Sequence, residues 1–168
     1  MPRKSGDPTT ITLSVLDRLI DQEPKSQDEA PLSRSQCLRV MKTAVRRDLE
    51  CLLNTRRIFL EPDESLKQVS RSVYMYGLPD FSSYSMGSSA DQTKLIRQLL
   101  AAIKLFEPRL AEVRIVPTQE AGSTGLQEVK LRIEALLLAD PSPEPISFDT
   151  VIELRSGICR LGGESSEG

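Results

Sequence analysis

The stretch Gln127-Glu128-Val129-Lys130-Leu131-Arg132-Ile133-Glu134-Ala135-Leu136-Leu137-Leu138 decides the fold class. In an extended chain Val129, Leu131, Ile133, Ala135 and Leu137 fall on one side and Lys130, Arg132 and Glu134 on the other. Period-two alternation of this kind predicts a strand with one face in a core and the other in water. The pattern recurs on both sides. Residues 110–116 set Ala111, Val113 and Ile115 on one face, and residues 146–154 repeat it through Ile146, Phe148, Ile152 and Leu154. The connectors 117–126 and 139–145 are rich in Gly, Pro and Ser and short enough for hairpins. An antiparallel meander of three or four strands is expected.

Ahead of the meander the apolar period lengthens to that of helices. Ser33 with Gln36 has the spacing of a capping box, and Cys37, Val40, Met41, Ala44, Val45, Leu49 and Leu52 follow as one stripe. Asn54 is expected to close this helix in a left-handed conformation, with Arg56 and Arg57 suiting the negative end of its dipole. A second helix is expected from Ser89, with Gln92 as its capping partner, through Leu95, Ile96, Leu99, Leu100, Ile103 and Phe106. Pro108 disfavours helical geometry at Glu107 and stops it there. Leu13, Leu16, Leu19 and Ile20 predict a short N-terminal helix, residues 22–32 a linker, and 72–76 a short strand or extended segment. Gly77 and Pro79 then make a turn, and a serine-rich loop runs from Ser82 to Ser89. The expected fold is a single α+β domain over residues 11–159, the two longer helices covering one face of the sheet. Residues 1–10 and 160–168 read as flexible ends.

Composition limits the chemistry. The 168 residues include no histidine and no tryptophan, and aromatics are 4%. That leaves no Ser-His or Cys-His pair, no His metal ligand and little surface on which to stack a sugar or base. Cys37, Cys51 and Cys159 are far apart without a CxxC spacing, so neither zinc nor a disulfide framework is expected; Cys37 and Cys51 read as small core residues. Lys and Arg number 22 against 24 Asp and Glu, which gives no field for nucleic acid or an anionic membrane. The opening residues lack the apolar core of a secretion signal, and the run Ala135 to Ala139 is too short to span a bilayer. A cytoplasmic, non-enzymatic chain with no cofactor, no nucleic-acid partner and no membrane insertion is expected.

One residue breaks the first helical stripe. Asp48 lies seven after Met41 and four after Ala44, near the middle of the apolar face. A carboxylate there needs a partner, so Asp48 is expected to be a structural pin joined to an arginine or to backbone amides.

Three blocks then carry a resemblance. They are Arg46-Arg47-Asp48-Leu49-Glu50-Cys51-Leu52-Leu53-Asn54-Thr55-Arg56-Arg57, Tyr76-Gly77-Leu78-Pro79-Asp80-Phe81, and Phe106-Glu107-Pro108-Arg109-Leu110. Together with Ser14-Val15-Leu16-Asp17-Arg18-Leu19 they resemble TssE, the baseplate family of type VI secretion systems, akin to the lysozyme-like wedge protein of the phage T4 baseplate. The resemblance spans roughly residues 13–154. It implies a wedge that joins the baseplate proteins TssF and TssG and starts the contractile sheath of TssB and TssC. It also implies that Glu107, Pro108 and Arg109 face the sheath, and more weakly that Asn54, Thr55 and Arg56 meet a partner. Physically, a proline-stopped helix leading into a strand sets two opposite charges on a rigid corner, where Arg109 could grip a partner carboxylate. Arg109→Glu is accordingly expected to leave the fold intact and block sheath assembly.

Other readings compete. A wedge protein of a contractile phage tail or phage-derived injection particle would share this docking chemistry. A muramidase would need two carboxylates flanking a sugar cleft; Asp48, Asp80 and Glu107 are its candidates. A nucleic-acid adaptor would draw on Arg34, Arg39, Arg46, Arg47, Arg56 and Arg57, but acids interleave them.

Overall fold

The computed structural model describes residues 33–58, 60, 62–63, 65–85, 88–118, 128–140 and 142–164, together with Leu19, which is helical and exposed. The rest of the expected N-terminal helix, the 1–10 segment and the 22–32 linker lie outside the described residues.

Helix α1 runs Arg34–Asn54 and starts as its sequence requires: the Ser33 hydroxyl accepts from the Gln36 amide while the Gln36 side chain accepts from the Ser33 amide. Cys37, Met41, Ala44, Val45, Leu49, Leu52 and Leu53 are buried, whereas Val40 stays 38% exposed at the rim of the stripe. Cys51 is also exposed, because the residue fourteen past buried Cys37 has rotated off the apolar face. Asn54 does not close the helix in a left-handed conformation. It is the last helical residue, and Thr55 caps the end with extended backbone. Helix α2 spans Ser89–Phe106, its N-cap one residue earlier than expected, with the Ser88 hydroxyl accepting from the Asp91 amide. It ends before Glu107, as Pro108 demands.

Between the helices, residues 72–76 form no strand. Val69–Arg71 and Val73–Met75 are two 3-10 turns: among the described residues no strand pairs with them, and the Ser72 hydroxyl caps Tyr74 N at 3.2 Å instead. Next comes Gly77, at φ 102°, where a side chain would lie 2.4 Å from Thr55 O. Only glycine lets this backbone close on the end of α1, and there Thr55 O accepts from Leu78 N at 2.8 Å and Leu78 O from Arg57 N at 3.0 Å.

The strands β1 (Leu110–Pro117), β2 (Glu128–Leu137), β3 (Glu144–Glu153) and β4 (Cys159–Glu164) form one antiparallel sheet in the order β1-β2-β3-β4. β2 and β3 pair without interruption from Glu128 opposite Glu153 to Leu137 opposite Glu144. Leu131, Ile133, Ala135 and Leu137 point into the core, as do Ile146, Phe148, Ile152 and Leu154. β1 departs from its expected alternation. A bulge between Ala111 and Arg114, with Glu112 at φ 50°, inserts one residue and reverses the phase. Leu110, not Ala111, therefore shares the inner face with Val113 and Ile115, opposite Leu137 and Ile133. α1 and α2 pack on this inner face, α2 against β1 and α1 against β4, and all contribute to a single core.

The fourth strand is real, and residues 160–164 belong to it rather than to a frayed tail. Cys159 and Leu161 are buried, and α1 holds the strand from the side away from β3. Asn54 Nδ2 donates to Cys159 O and Asn54 Oδ1 accepts from Cys159 N, at 2.9 and 2.8 Å. Two turns earlier Arg46 donates to Leu161 O at 2.8 Å. An asparagine amide here does the work of a fifth strand.

Candidate functional site

Glu107, Pro108 and Arg109 form the corner between α2 and β1. Pro108 is exposed at its tip, but the two charges beside it turn inward rather than standing free. Glu107 is 4% exposed. Arg109 closes on it as a fork, with Nε 2.6 Å from Oε1 and Nη2 2.5 Å from Oε2. The same Nη2 lies 2.6 Å from Asp48 Oδ2, and the other Asp48 oxygen accepts from Arg47 Nε at 2.9 Å. The acid that broke the α1 stripe thus meets an arginine sixty-one residues further along the chain.

Two cations and two carboxylates sum to zero, which is what a partly buried cluster needs. The hydrogen bond to Glu107 first, then the bonds to Asp48, hold the Arg109 proton far more tightly than usual, against the opposing effect of burial. Tyr76 packs edge to face on Phe106 at 5.2 Å beside this cluster. Burial first, then the charges of Cys51, Asp48 and Glu107, push its hydroxyl pKa up. Arg109 is still 23% exposed on its side chain, and Nη1 has no partner among the described residues. The corner therefore offers a partner the Pro108 ring and one outward edge of the guanidinium. The expectation of a freely exposed charge at Arg109 is corrected: most of that group is spent inside the chain.

The three sequence blocks pack on one another. Asp48 meets Arg109, Tyr76 meets Phe106, and Thr55 and Arg57 pair with Leu78. Asn54 is committed to β4, and the Thr55 hydroxyl to Cys51 O at 2.6 Å. Arg56 stacks its guanidinium 4.4 Å over Phe81, with Nη1 3.5 Å from Pro79 O. On the outer sheet face Arg132 pairs with Asp149 at 2.8 Å, while Glu134 stays exposed. Arg46, which the sequence offers as one of several basic residues, and Gly157, which it does not single out, help seat β4 and Arg56; their partners lie about a hundred residues away, so no local pattern marks these contacts.

A shallow cleft of about 340 Å3 including its open mouth lies between α2 and the 70–79 segment. Its walls, among them Met75, Leu105, Phe106, Gln98 and Arg57, carry no carboxylate, so it lacks the flanking pair that glycoside hydrolysis requires. Among the described residues no cluster of His, Cys, Asp or Glu is placed to hold a metal ion, and no helix is long and apolar enough to cross a membrane.

Among the described residues the chain is a small body of two helices on a four-stranded sheet, with a charged corner braced from within. The model of the baseplate wedge protein gp25 family matches residues 39–142, more than half of the 168-residue chain, and the chain belongs to that family. The match runs from α1 through β2 and includes all three blocks. Searches of curated proteins and of solved structures gave no match.

Proposed function

We propose that this chain is the structural baseplate wedge subunit of a type VI secretion system, a cytoplasmic, non-enzymatic part that joins TssF and TssG to the base of a TssB–TssC sheath. Membership of the gp25 family supports the wedge role, and the Leu52-Leu53-Asn54-Thr55-Arg56 and Tyr76-Gly77-Leu78-Pro79-Asp80 blocks favour the secretion system. The observation that carries the reading is the Glu107-Pro108-Arg109 corner, locked by Asp48 and leaving Pro108 and Arg109 Nη1 outward. A corner fixed before docking spares the partner the entropy of ordering it. In this reading the sheath side meets the corner. β1 is then the edge at which a neighbouring strand can add, since α1 covers β4.

The matched family carries the name of a phage protein, so a contractile phage tail or phage-derived injection particle is the alternative. Purification of the tagged chain from its native host separates the readings. Co-elution of TssF, TssG and sheath subunits is expected. Phage tail proteins in their place would select the alternative, and a partner-free monomer where those subunits are expressed would overturn the assembly role.

A further inference from the structure

The cleft between α2 and the 70–79 segment differs from the chain as a whole in its charge. The whole chain is net −2. The two segments that wall the cleft, residues 66–79 and α2, carry Lys67, Arg71, Lys94, Arg97 and Lys104 against Asp91 alone. Asp91 sits in the first turn of α2, seven residues before Gln98 on the cleft wall, and accepts from Ser85 N at 3.0 Å. The acids that follow each wall are engaged elsewhere. Asp80 accepts from Ser82 N at 3.0 Å and stands beside Arg56, and Glu107 is held in the fork of Arg109.

Helical spacing brings the cations to the cleft. Arg97 lies four residues before Ala101 and Lys104 three after it, so both share the side of α2 on which Ala101 lines the wall. On the opposite wall Arg71 follows Ser70, and Arg57 lines the cleft itself. Arg71, Arg97 and Lys104 are exposed and form no ion pair among the described residues. Between these charges the surface is apolar: Met75, Leu105 and Phe106 line the cleft, Leu105 is 40% exposed, and Val73, two residues before Met75, is 86% exposed. A nucleic acid would meet the cations but leave Leu105 and Val73 in water. A second copy meeting this face with its own would set like charges together. An apolar side chain flanked by carboxylates satisfies both features of the cleft.

We infer that this cleft receives an apolar side chain of a partner protein whose neighbouring Asp or Glu side chains meet Arg71, Arg97 and Lys104. None of these three cations lies in the blocks that carry the family resemblance. The inference rests on the reading of the chain as an assembly subunit, and it adds a face to the Pro108 corner and the β1 edge.

The test places photo-crosslinking p-benzoylphenylalanine at Ser70, and separately at Ala101, both exposed in the cleft wall, in the full-length tagged chain expressed in its native host with its assembly proteins. Both positions should cross-link one partner segment in which an apolar residue stands beside an Asp or Glu. Replacing Arg71, Arg97 and Lys104 together by Glu should lower the yield about tenfold or more, and exchanging the partner's acids for Lys should restore it. Exposed charges contribute little to folding, so this variant should keep the wild-type circular dichroism and Tm. A variant with Gln at the same three positions, free of added repulsion, should also lose yield. The inference is overturned if the cross-links run to nucleic acid, lipid or a second copy of this chain, or if the partner segment holds no acid. It is equally overturned if the Gln variant cross-links like wild type, if charge exchange fails to restore the yield, or if neither position cross-links while the assembly proteins co-purify. Wild-type chain that recovers no assembly protein overturns the assembly reading itself.

Discussion

Replacing Arg109 with methionine should destabilise the fold, and the size of the loss follows from which partner is left behind. Glu107 is 4% exposed and has both oxygens on Arg109, so the variant leaves a carboxylate with neither a counter-ion nor ready access to water. Breaking a buried pair from one side costs about 3–5 kcal/mol. Asp48 adds little, since its side chain is 33% exposed and keeps Arg47. The lower end, roughly 3 kcal/mol, is therefore expected, and for a domain of this size that lowers Tm by about 6–12 °C. The chain has no tryptophan, so urea unfolding is best followed by far-ultraviolet circular dichroism. A second substitution sharpens the test. Glu107→Gln should destabilise the wild-type protein but stabilise Arg109→Met, because there it removes a stranded charge. Arg109→Met within about 1 kcal/mol of wild type, or the same sign for Glu107→Gln in both backgrounds, would refute the view that this corner is braced from within.

Other outcomes follow from particular contacts. Gly77→Ala should cost about 2 kcal/mol or more in urea unfolding, since it combines a left-handed backbone with a 2.4 Å approach to Thr55 O. Gly157→Ala should cost less, about 1 kcal/mol, because the group it meets is the movable end of Arg56. Asn54→Ala should cost about 2 kcal/mol and make the Cys159 amide exchange hydrogen faster, since it removes both bonds that hold that residue to α1. Iodoacetamide at pH 8 should label Cys51 alone in the native protein and all 3 cysteines after unfolding, as read by mass spectrometry. Burial, helped by the charge of Glu50, pushes the Cys159 thiol up to about 12, so the native thiol carries almost no reactive thiolate at that pH.

Where the core is patterned at short range, the residues themselves announce it. The β2 alternation, the Ser33–Gln36 box and the Pro108 stop each act within a few positions, and the chain forms those elements where they predict. What stayed hidden depends on distant partners. The β1 phase turns on a single bulge at Glu112, which no composition signals. β4 is short, and two adjacent glycines give it the look of a frayed end; its hold comes from Asn54 and Arg46, more than a hundred residues earlier. At the corner, the sequence places a rigid junction at Pro108 and an acid in need of a partner at Asp48. It does not reveal that these are one site, because a hydrophobic pattern records burial and not which charge meets which.

The asparagine that closes the side of β4 also bears on how the protein behaves at high concentration. Sheets with two bare rims can stack end on end without limit, which is the route to fibres. Here Arg46 and Asn54 of α1 close one rim, which among the described residues leaves the β1 rim to recruit a neighbour. Through its sheet, a body with one adhesive rim can take on a single companion and then has nothing left to offer. The two side chains that hold the last strand therefore also work against run-on aggregation by this route.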